Sequence, residues 1–274
     1  MQKKRQLLLF LLMDVLMLFG FGCEKWITGY GPQPIYLDKS VNQPMLNVLG
    51  ILRPGMEQAF PLSFVHVEAA FPVTDDMPDS LKVADVTVQV TQIPEGSSTV
   101  YSFIYQNPDH IFQQQDYRHA EFIPQTGETY FLLCRKEGYP DLTGQTTVPD
   151  VPEILDIQMD QNQTLLTITV ARDALAGLIE AILLVGDNQF STRVLRPESG
   201  PVEIVLHFNA GNSESGQLMI VAYDLNLSEY MTYNISVKPN TYLDMYSTVE
   251  NGYGCFGSLN VVEKTVLFRS TETE

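Results

Sequence analysis

The chain has 274 residues, of which 45% are hydrophobic, so it is long enough to bury one large core or two ordinary ones. Its 16 basic residues stand against 33 acidic ones, which gives a net charge of −17. Affinity for nucleic acid comes mainly from Lys and Arg side chains that neutralise phosphates, so this balance argues against a nucleic-acid partner.

The N-terminus has the features of a bacterial export signal that ends at a lipid-modified cysteine. A basic cluster at 3–5 precedes an apolar run over 7–21, and Gly22 is a small residue directly before Cys23. This order predicts a signal peptide over 1–22 and lipid attachment at Cys23. Acyl chains on that cysteine would then tie the mature protein to a membrane.

Two other readings of this segment stay open, a secretory signal without lipid and an uncleaved membrane anchor. The anchor is the weakest, because the apolar run is shorter than the about 20 residues of a spanning helix and contains Asp14. Removing the signal leaves 13 basic and 32 acidic residues, and therefore a net charge of about −19. That charge suits a soluble body held at a membrane by a tether.

Residues 23–45 are predicted to form the tether and a spacer, because Gly and Pro are frequent after position 28. Short β-branched and aromatic runs then alternate with turn residues, as in a β-sandwich. The predicted strands of a first domain, 46–149, are 46–52, 64–70, 84–91, 99–105, 118–123, 129–135 and 143–148.

Pro149 and Pro152 form a stiff extended joint, and we place a domain boundary there. The predicted strands of the second domain, 150–274, are 153–158, 165–171, 179–185, 190–195, 201–208, 217–223 and 230–237. Residues 172–182 also permit a helical turn, and we predict them to be mainly extended. The sequence therefore predicts a mainly β protein with two β-sandwich-like domains.

Two cysteines remain in the mature chain, Cys134 and Cys255. An exported chain enters a compartment in which thiols pair, so a disulfide between them is one prediction. The other is that Cys134, inside an apolar strand, is a buried thiol that behaves as a small hydrophobic residue.

No catalytic, cofactor or metal motif is visible in the sequence. The histidines lack zinc spacing; they are His66, His110, His119 and His207. Two acidic groups offer oxygen ligands for calcium without the spacing of a calcium loop, so a solvated surface is the preferred interpretation; they are Asp75, Asp76 and Asp79, and Asp150, Glu153, Asp156 and Asp160. We therefore expect no enzyme activity and no cofactor.

Three segments resemble a family of Bacteroidota envelope lipoproteins, the domain of unknown function 4249. The segment 46–52 followed by 83–90 is similar to the family's opening strands, and 127–134 with 144–149 to its Gly-x-x-Tyr-x-Leu strand and Thr-x-Val-Pro exit. The segment 250–257, Glu-Asn-Gly-Tyr-Gly-Cys-Phe-Gly, is similar to the family's C-terminal signature. From the residues alone, we interpret this last segment as a structural closure built on Gly and aromatic packing.

The resemblance implies an immunoglobulin-like or transthyretin-like N-terminal domain, attachment to the outer membrane and association with a TonB-dependent receptor in nutrient capture. It brings no catalytic residues, and either membrane face is compatible with it. The tripeptide around Ser80 also resembles the O-glycosylation acceptor of exported Bacteroidota proteins. The sequence thus predicts a non-enzymatic outer-membrane lipoprotein that acts as an accessory or interaction module.

Two alternative functions remain. A surface glycan-binding or adhesion module would use exposed aromatic faces, for which the late tyrosines are the candidates: Tyr223, Tyr230, Tyr233, Tyr242, Tyr246 and Tyr253. Strand propensity and packing explain these tyrosines equally well. A fimbrial or assembly subunit would instead exchange strands through an unpaired sheet edge.

Overall fold

The computed structural model describes residues 44–55, 63–70, 83–93, 98–106, 116–196, 199–211, 213–235 and 247–268. Fifteen strands and one helix lie in these residues. The chain is therefore mainly β, and its sheets pack in the manner of β-sandwiches, which confirms the predicted fold class.

The N-terminal strands follow the alternation of buried and exposed residues in the sequence. They are β1 (Met45–Leu52), β2 (Phe64–Ala70), β3 (Thr87–Gln92), β4 (Thr99–Gln106), β5 (Asp116–Arg118), β6 (Thr129–Arg135) and β7 (Leu142–Thr147). In β3, Val88 and Val90 are buried while Thr87 and Gln89 are not. Side chains two residues apart share a face of a strand, so this period of two sends one set into the core.

These strands enclose one hydrophobic core, and they lie in the order β1, β2, β5, β4, β3, β6, β7. Buried tyrosines in this core keep their hydroxyl groups hydrogen-bonded. The hydroxyl of Tyr117 donates to the carbonyl of Val83 at 2.7 Å and accepts from the amide of Val86 at 2.9 Å. These bonds remove the penalty of burying a polar group.

The C-terminal half contains the remaining elements. They are β8 (Ile154–Met159), β9 (Leu165–Val170), β10 (Ala176–Val185), β11 (Asn188–Leu195), β12 (Val202–His207), β13 (Ser215–Asp224), α1 (Leu225–Ile235), β14 (Val249–Glu250) and β15 (Gly252–Leu267). The segment 172–182, for which a helical turn was also permitted, enters β10 and is extended from Ala176 onward.

Among the described residues, the strands form one twelve-stranded sheet and one three-stranded sheet, and a second core lies between the part β11-β10-β13-β15 of the former and the latter, β12-β9-β8. Strand β10 is buried along most of its length, since α1 packs near its other face. Leu227 of α1 belongs there to a third cluster with Leu178 and Val221. Burial on both faces explains why β10 is apolar without alternation.

Strand β15 takes part in the sheets of both halves. Its first residues, 252–258, pair in parallel with β1, and 259–267 pair antiparallel with β13. Phe256 is completely buried in the N-terminal core. Gly254 has φ +106°, and a Cβ there would lie 1.9 Å from the carbonyl oxygen of Val48, so only glycine fits. These contacts agree with the predicted structural closure.

Two predicted strands were wrong, and one long strand of the structure was not predicted. Residues 230–235 are helical instead of extended, because Asp224 caps the helix and Leu227, Tyr230 and Met231 recur at helical spacing.

The predicted strand 118–123 ends after Arg118, where the amide of Phe122 turns back to the carbonyl of His119 at 3.2 Å. Strand β15 was not predicted, because its Gly-rich start lowers strand propensity while its close approach to β1 requires glycine.

All described residues belong to one compact unit, Asn42–Val237 with Leu243–Glu274. The predicted domain boundary after residue 149 stays a prediction. Val249 and Phe256 nevertheless belong to the core of the N-terminal strands. No helix among the described residues is long and apolar enough to span a membrane.

Candidate interaction face

One side of the N-terminal sheet points away from its core and carries almost no charge. Strands β4, β3, β6 and β7 are neighbours in that order, and alternate residues of each strand point outward. We call these outward residues the outer face; they are Thr87, Gln89, Thr91, Ile93, Val100, Ser102, Ile104, Gln106, Thr129, Phe131, Leu133, Arg135, Thr143, Gln145 and Thr147.

The pairing register arranges the outer face in rows across the four strands. One row contains Val100, Thr91, Phe131 and Gln145, and the next contains Ser102, Gln89, Leu133 and Thr143. Ile104 is 70% exposed, Val100 53% and Phe131 37%. The exposed apolar side chains of the outer face are therefore surrounded by hydroxyl and amide groups.

Arg135 is the one charged member of the outer face, and its Nε donates to Asp141 at 2.8 Å. The whole chain, by contrast, is 18% charged and strongly acidic. The centres of protein interfaces are depleted in charged residues, because a charge that loses water without gaining a partner destabilises the complex. The outer face has the composition expected of such a centre.

An ionisable cluster lies beside the outer face, on β2 and β5. His66 Nδ1 is 2.9 Å from Asp116 Oδ1, and His66 Nε2 is 3.1 Å from Glu68 Oε1. Arg118 donates to the other oxygen of Asp116 at 3.3 Å, and Ile104 of the outer face pairs with Arg118. The hydrogen bond between His66 and Asp116 raises the pKa of His66, and this effect is larger than the lowering of the pKa by burial.

A second ionisable group is buried where β13 ends and α1 begins. Asp224 accepts a hydrogen bond from Thr146 Oγ1 at 2.5 Å and one from the amide of Leu227 at 2.8 Å. Burial raises the pKa of this carboxyl to about 6, although both donors oppose the shift. Because Thr146 is on β7, this contact joins the two halves of the chain.

Side chains of the C-terminal half also close the edge of β7. Strand β14 pairs with only two residues of this edge, Thr143 and Gly144. Beyond them, side-chain donors satisfy carbonyl oxygens: Asn251 for Asp141, Asn226 for Gln145, Ser258 for Thr147 and Asn260 for Pro149. Capped carbonyls leave fewer groups for pairing with another chain.

A third buried carboxylate, Glu180 on β10, is fully engaged. It accepts hydrogen bonds from Arg193 Nε at 2.9 Å and from the Tyr223 hydroxyl at 2.6 Å. Burial and the neighbouring carboxylate raise the pKa of Tyr223. The contacts hold β10, β11 and β13 together, so we assign the cluster a structural role.

The two cysteines are free in the structure, in contrast to the predicted disulfide. Cys134 lies in the N-terminal core on β6, and Cys255 lies in the third cluster on β15. Within the described part of the chain, the two thiols lie in different clusters and are not bonded to each other, and burial raises the pKa of both to about 12. Buried thiols of raised pKa are unreactive.

Several of the other predicted site residues fall in parts of the chain that the structure does not describe. Cys23 and Ser80 lie outside the described residues, as do His110 and the acidic group from Asp75 to Asp79.

Asp160 binds backbone amides of its own turn, Thr164 at 2.7 Å and Leu165 at 2.8 Å. Within the part of the chain that the structure describes, no three acidic, His or Cys side chains form a metal-binding group.

The late tyrosines do not form an aromatic platform within the described residues. Tyr223 is buried against Glu180, while Tyr230 and Tyr253 are half-buried. The side chains of the other three lie outside the described part. Packing, the plainer of the two sequence interpretations, therefore accounts for Tyr223.

Sequence reasoning missed both the outer face and the His66 cluster. A signal for the outer face was present, since the outward positions of the predicted strands 84–91, 99–105, 129–135 and 143–148 contain only two charged residues, Asp85 and Arg135. The His66 cluster had no comparable signal, because its partner Asp116 is 50 residues away.

Comparison with known proteins gives little. No protein-family model matches the chain, and no curated protein matches it. Among solved structures, the chain is similar to the crystal structure of a DUF3823 family protein from Bacteroides uniformis, at 8% identity and a TM-score of 0.31. The match covers 82% of this chain and 100% of that one. So weak a likeness supports no assignment, and the resemblance to domain of unknown function 4249 stays a prediction.

Proposed function

We propose that this protein is a non-enzymatic envelope lipoprotein, a member of the domain of unknown function 4249 family, which binds a partner protein through the outer face. Lipid on Cys23 would hold it at the outer membrane. The partner proposed from the family resemblance is a TonB-dependent receptor, which the protein would assist in nutrient capture.

The near absence of charge on the outer face is the observation that supports this proposal. The body left after removal of residues 1–22 has a net charge of about −19, from 13 basic and 32 acidic residues, and such a charge repels other acidic proteins. A patch of Val, Ile and Phe side chains among Thr and Gln side chains avoids that repulsion and buries apolar area on contact. Phe131 lies on β6, between β3 and β7, and aromatic residues near the centre of an interface contribute most to binding.

The test compares a charge placed on the outer face with the same charge placed elsewhere. Val100→Glu alters the outer face, and Val205→Glu alters the outward side of β12, where Val205 is 38% exposed. The full chain carries a C-terminal tag, and receptors that co-purify from membranes are quantified by mass spectrometry. We expect Val100→Glu to lower receptor recovery about tenfold or more, because the complex would bury a charge without a partner, and Val205→Glu to leave it unchanged.

Equal recovery with Val100→Glu and the wild type would contradict the use of the outer face. Recovery of no receptor by the wild-type protein would contradict the receptor as partner.

The anchor is tested separately by intact mass and by protease treatment of whole cells. We expect a mass equal to residues 23–274 plus acyl chains, and digestion of whole cells decides which membrane face carries the body. An unacylated mass would leave the protein without its proposed attachment.

A second candidate function is binding of a neutral glycan at the same face. The row of Ser102, Gln89 and Thr143 offers hydroxyl and amide groups that hydrogen-bond sugars. Gln89→Ala separates the two functions, since it removes a polar group and leaves the apolar anchors in place. A loss of binding to neutral polysaccharides with unchanged receptor recovery would favour the glycan.

Strand exchange, the third function considered, has less support. Strand β8 ends the smaller sheet and pairs with β9. Asp156 Oδ1 accepts the amide of Ile157 on this strand at 2.9 Å, and the pairing shifts register between Ile154 and Asp156. A capped amide, a bulge and a carboxylate are devices that protect an edge from pairing.

A further inference from the structure

Both ring nitrogens of His66 lie within hydrogen-bond distance of a carboxylate oxygen. Nδ1 is 2.9 Å from Asp116 and Nε2 is 3.1 Å from Glu68. An ionised carboxylate only accepts hydrogen bonds, and a neutral imidazole has one N–H. The two contacts can therefore both be hydrogen bonds only when the ring carries both protons, as an imidazolium.

The charges around His66 balance only in that state. Glu68 on its own strand and Asp116 on β5 are negative, and Arg118 on β5 is positive. Strand β1, on the other side of β2, places Leu49 opposite His66 and has no charged residue. The side chain of Asp116 is only 3% exposed, so it depends on its protein partners instead of water.

This cluster bridges a weak seam in the sheet. Among the residues that the structure describes, strand β5 has three residues, and it pairs with β2 at one position, Val65 with Tyr117. On its other side β5 pairs with β4, which carries Ile104 of the outer face. The bond from His66 to Asp116 therefore adds a side-chain link where the backbone ladder is shortest.

We propose that protonated His66 is a pH-sensitive clamp that fastens β5 to β2 and with it the β4 edge of the outer face. When the ring loses a proton, one ring nitrogen presents a lone pair to a carboxylate oxygen. That contact is then repulsive, and the link between β5 and β2 weakens. The clamp contributes stability that is fully present below pH 6.5 and is lost as the pH rises through the raised pKa of His66. This inference stands on the cluster alone and does not require that the outer face binds a partner.

The direct test is NMR titration of the histidine rings in the full chain, assigned with His66→Gln. We expect the His66 ring to titrate above pH 6.5 and to carry protons on both nitrogens below its own titration midpoint. A ring that titrates at or below pH 6.5 would overturn the proposal, whether or not the variant is stable.

A second test measures unfolding of the wild type, His66→Gln and His207→Gln from pH 6 to pH 9. His207 is an exposed strand histidine on β12 and serves as the matched control. We expect the folded-to-unfolded ratio of the wild type and of His207→Gln to fall about tenfold for each unit by which the pKa of His66 is raised. His66→Gln should keep only the fall of about twofold that deprotonation of Asp224 causes just above pH 6, and a fall as large as that of the wild type would contradict the clamp.

Discussion

Each half of the molecule has an outward row with a threonine in its middle, but the flanking side chains are apolar in one half and acidic in the other. On the outer face, Thr91 stands between Val100 and Phe131. On the outward side of β12-β9-β8, Thr169 stands between Glu203 and Asp156. Both rows are solvated positions of a β-sandwich, and folding alone sets no requirement for either. The C-terminal row thus carries two carboxylates where the N-terminal row carries two apolar side chains, and this contrast is what the proposed use of the outer face rests on.

The largest effect should come from closing the space that β15 needs to reach the N-terminal strands. Gly254→Ala places a methyl group 1.9 Å from the carbonyl oxygen of Val48, at a φ of +106°. We expect a loss of more than about 4 kcal/mol in the free energy of unfolding, or no folded protein. Gly211→Ala, at φ +56° with nothing near, is the control in the C-terminal half and should lose about 1–2 kcal/mol. Equal losses in denaturant melts would show that strain alone matters.

The second largest effect should come from a cavity in either core, and its location should show whether the two halves unfold independently. Phe256→Ala leaves a cavity in the N-terminal core, and Phe208→Ala leaves one in the C-terminal core. Each variant should lose about 3–5 kcal/mol in the free energy of unfolding. Hydrogen exchange by mass spectrometry locates the damage. We expect faster exchange in β3 and β6 for Phe256→Ala and in β9 and β12 for Phe208→Ala. The same exchange pattern in both variants would mean that the halves unfold as one unit.

Two carboxylates should respond to pH with opposite sign. Burial raises the pKa of Asp224 to about 6, above its unfolded value, so this group favours the folded state below pH 3.8 and the advantage disappears as pH rises through 6. The change is about 3 kcal/mol, and Asp224→Asn should abolish it. Backbone amides lower the pKa of Asp160, so its contribution is present above pH 3.8 and is lost on acidification.

Unfolding free energies from pH 3 to pH 8 measure both effects. A wild-type profile that Asp224→Asn leaves unchanged would mean that this carboxyl is solvated. Asp160→Asn is the control: it should remove the part of the stability loss on acidification that Asp160 causes, and leave the loss above pH 3.8 that Asp224 causes.

The smallest effect on stability should come from a lysine in each row. Thr169→Lys lies between two carboxylates and should gain about 0.2–1 kcal/mol. Thr91→Lys lies between Val100 and Phe131, gains no such pair, and should change stability by less than about 0.5 kcal/mol. Only Thr91→Lys should reduce receptor recovery. Reduced recovery with Thr169→Lys as well would remove the distinction between the faces.

The sequence alone determined the strands whose alternation is complete within a few residues. The segments 46–52, 64–70 and 129–135 were predicted nearly to the residue, because the period of two is a local property. The mainly β class follows from the same pattern. The C-terminal glycines were also interpreted correctly as a closure, since a run of Gly and aromatic residues indicates close backbone approach.

The tertiary structure decided everything that depends on residues far apart in the chain. The register of four strands assembles the outer face, and the distance of 50 residues between His66 and Asp116 hides their contact from any local pattern. Helix α1 depends on Asp224 as its cap and on a buried side against β10 and β15, which outweigh the strand propensity of its Tyr and Thr residues. Pairing and burial are set by contacts between distant segments, and a single sequence states only which residues are able to make them.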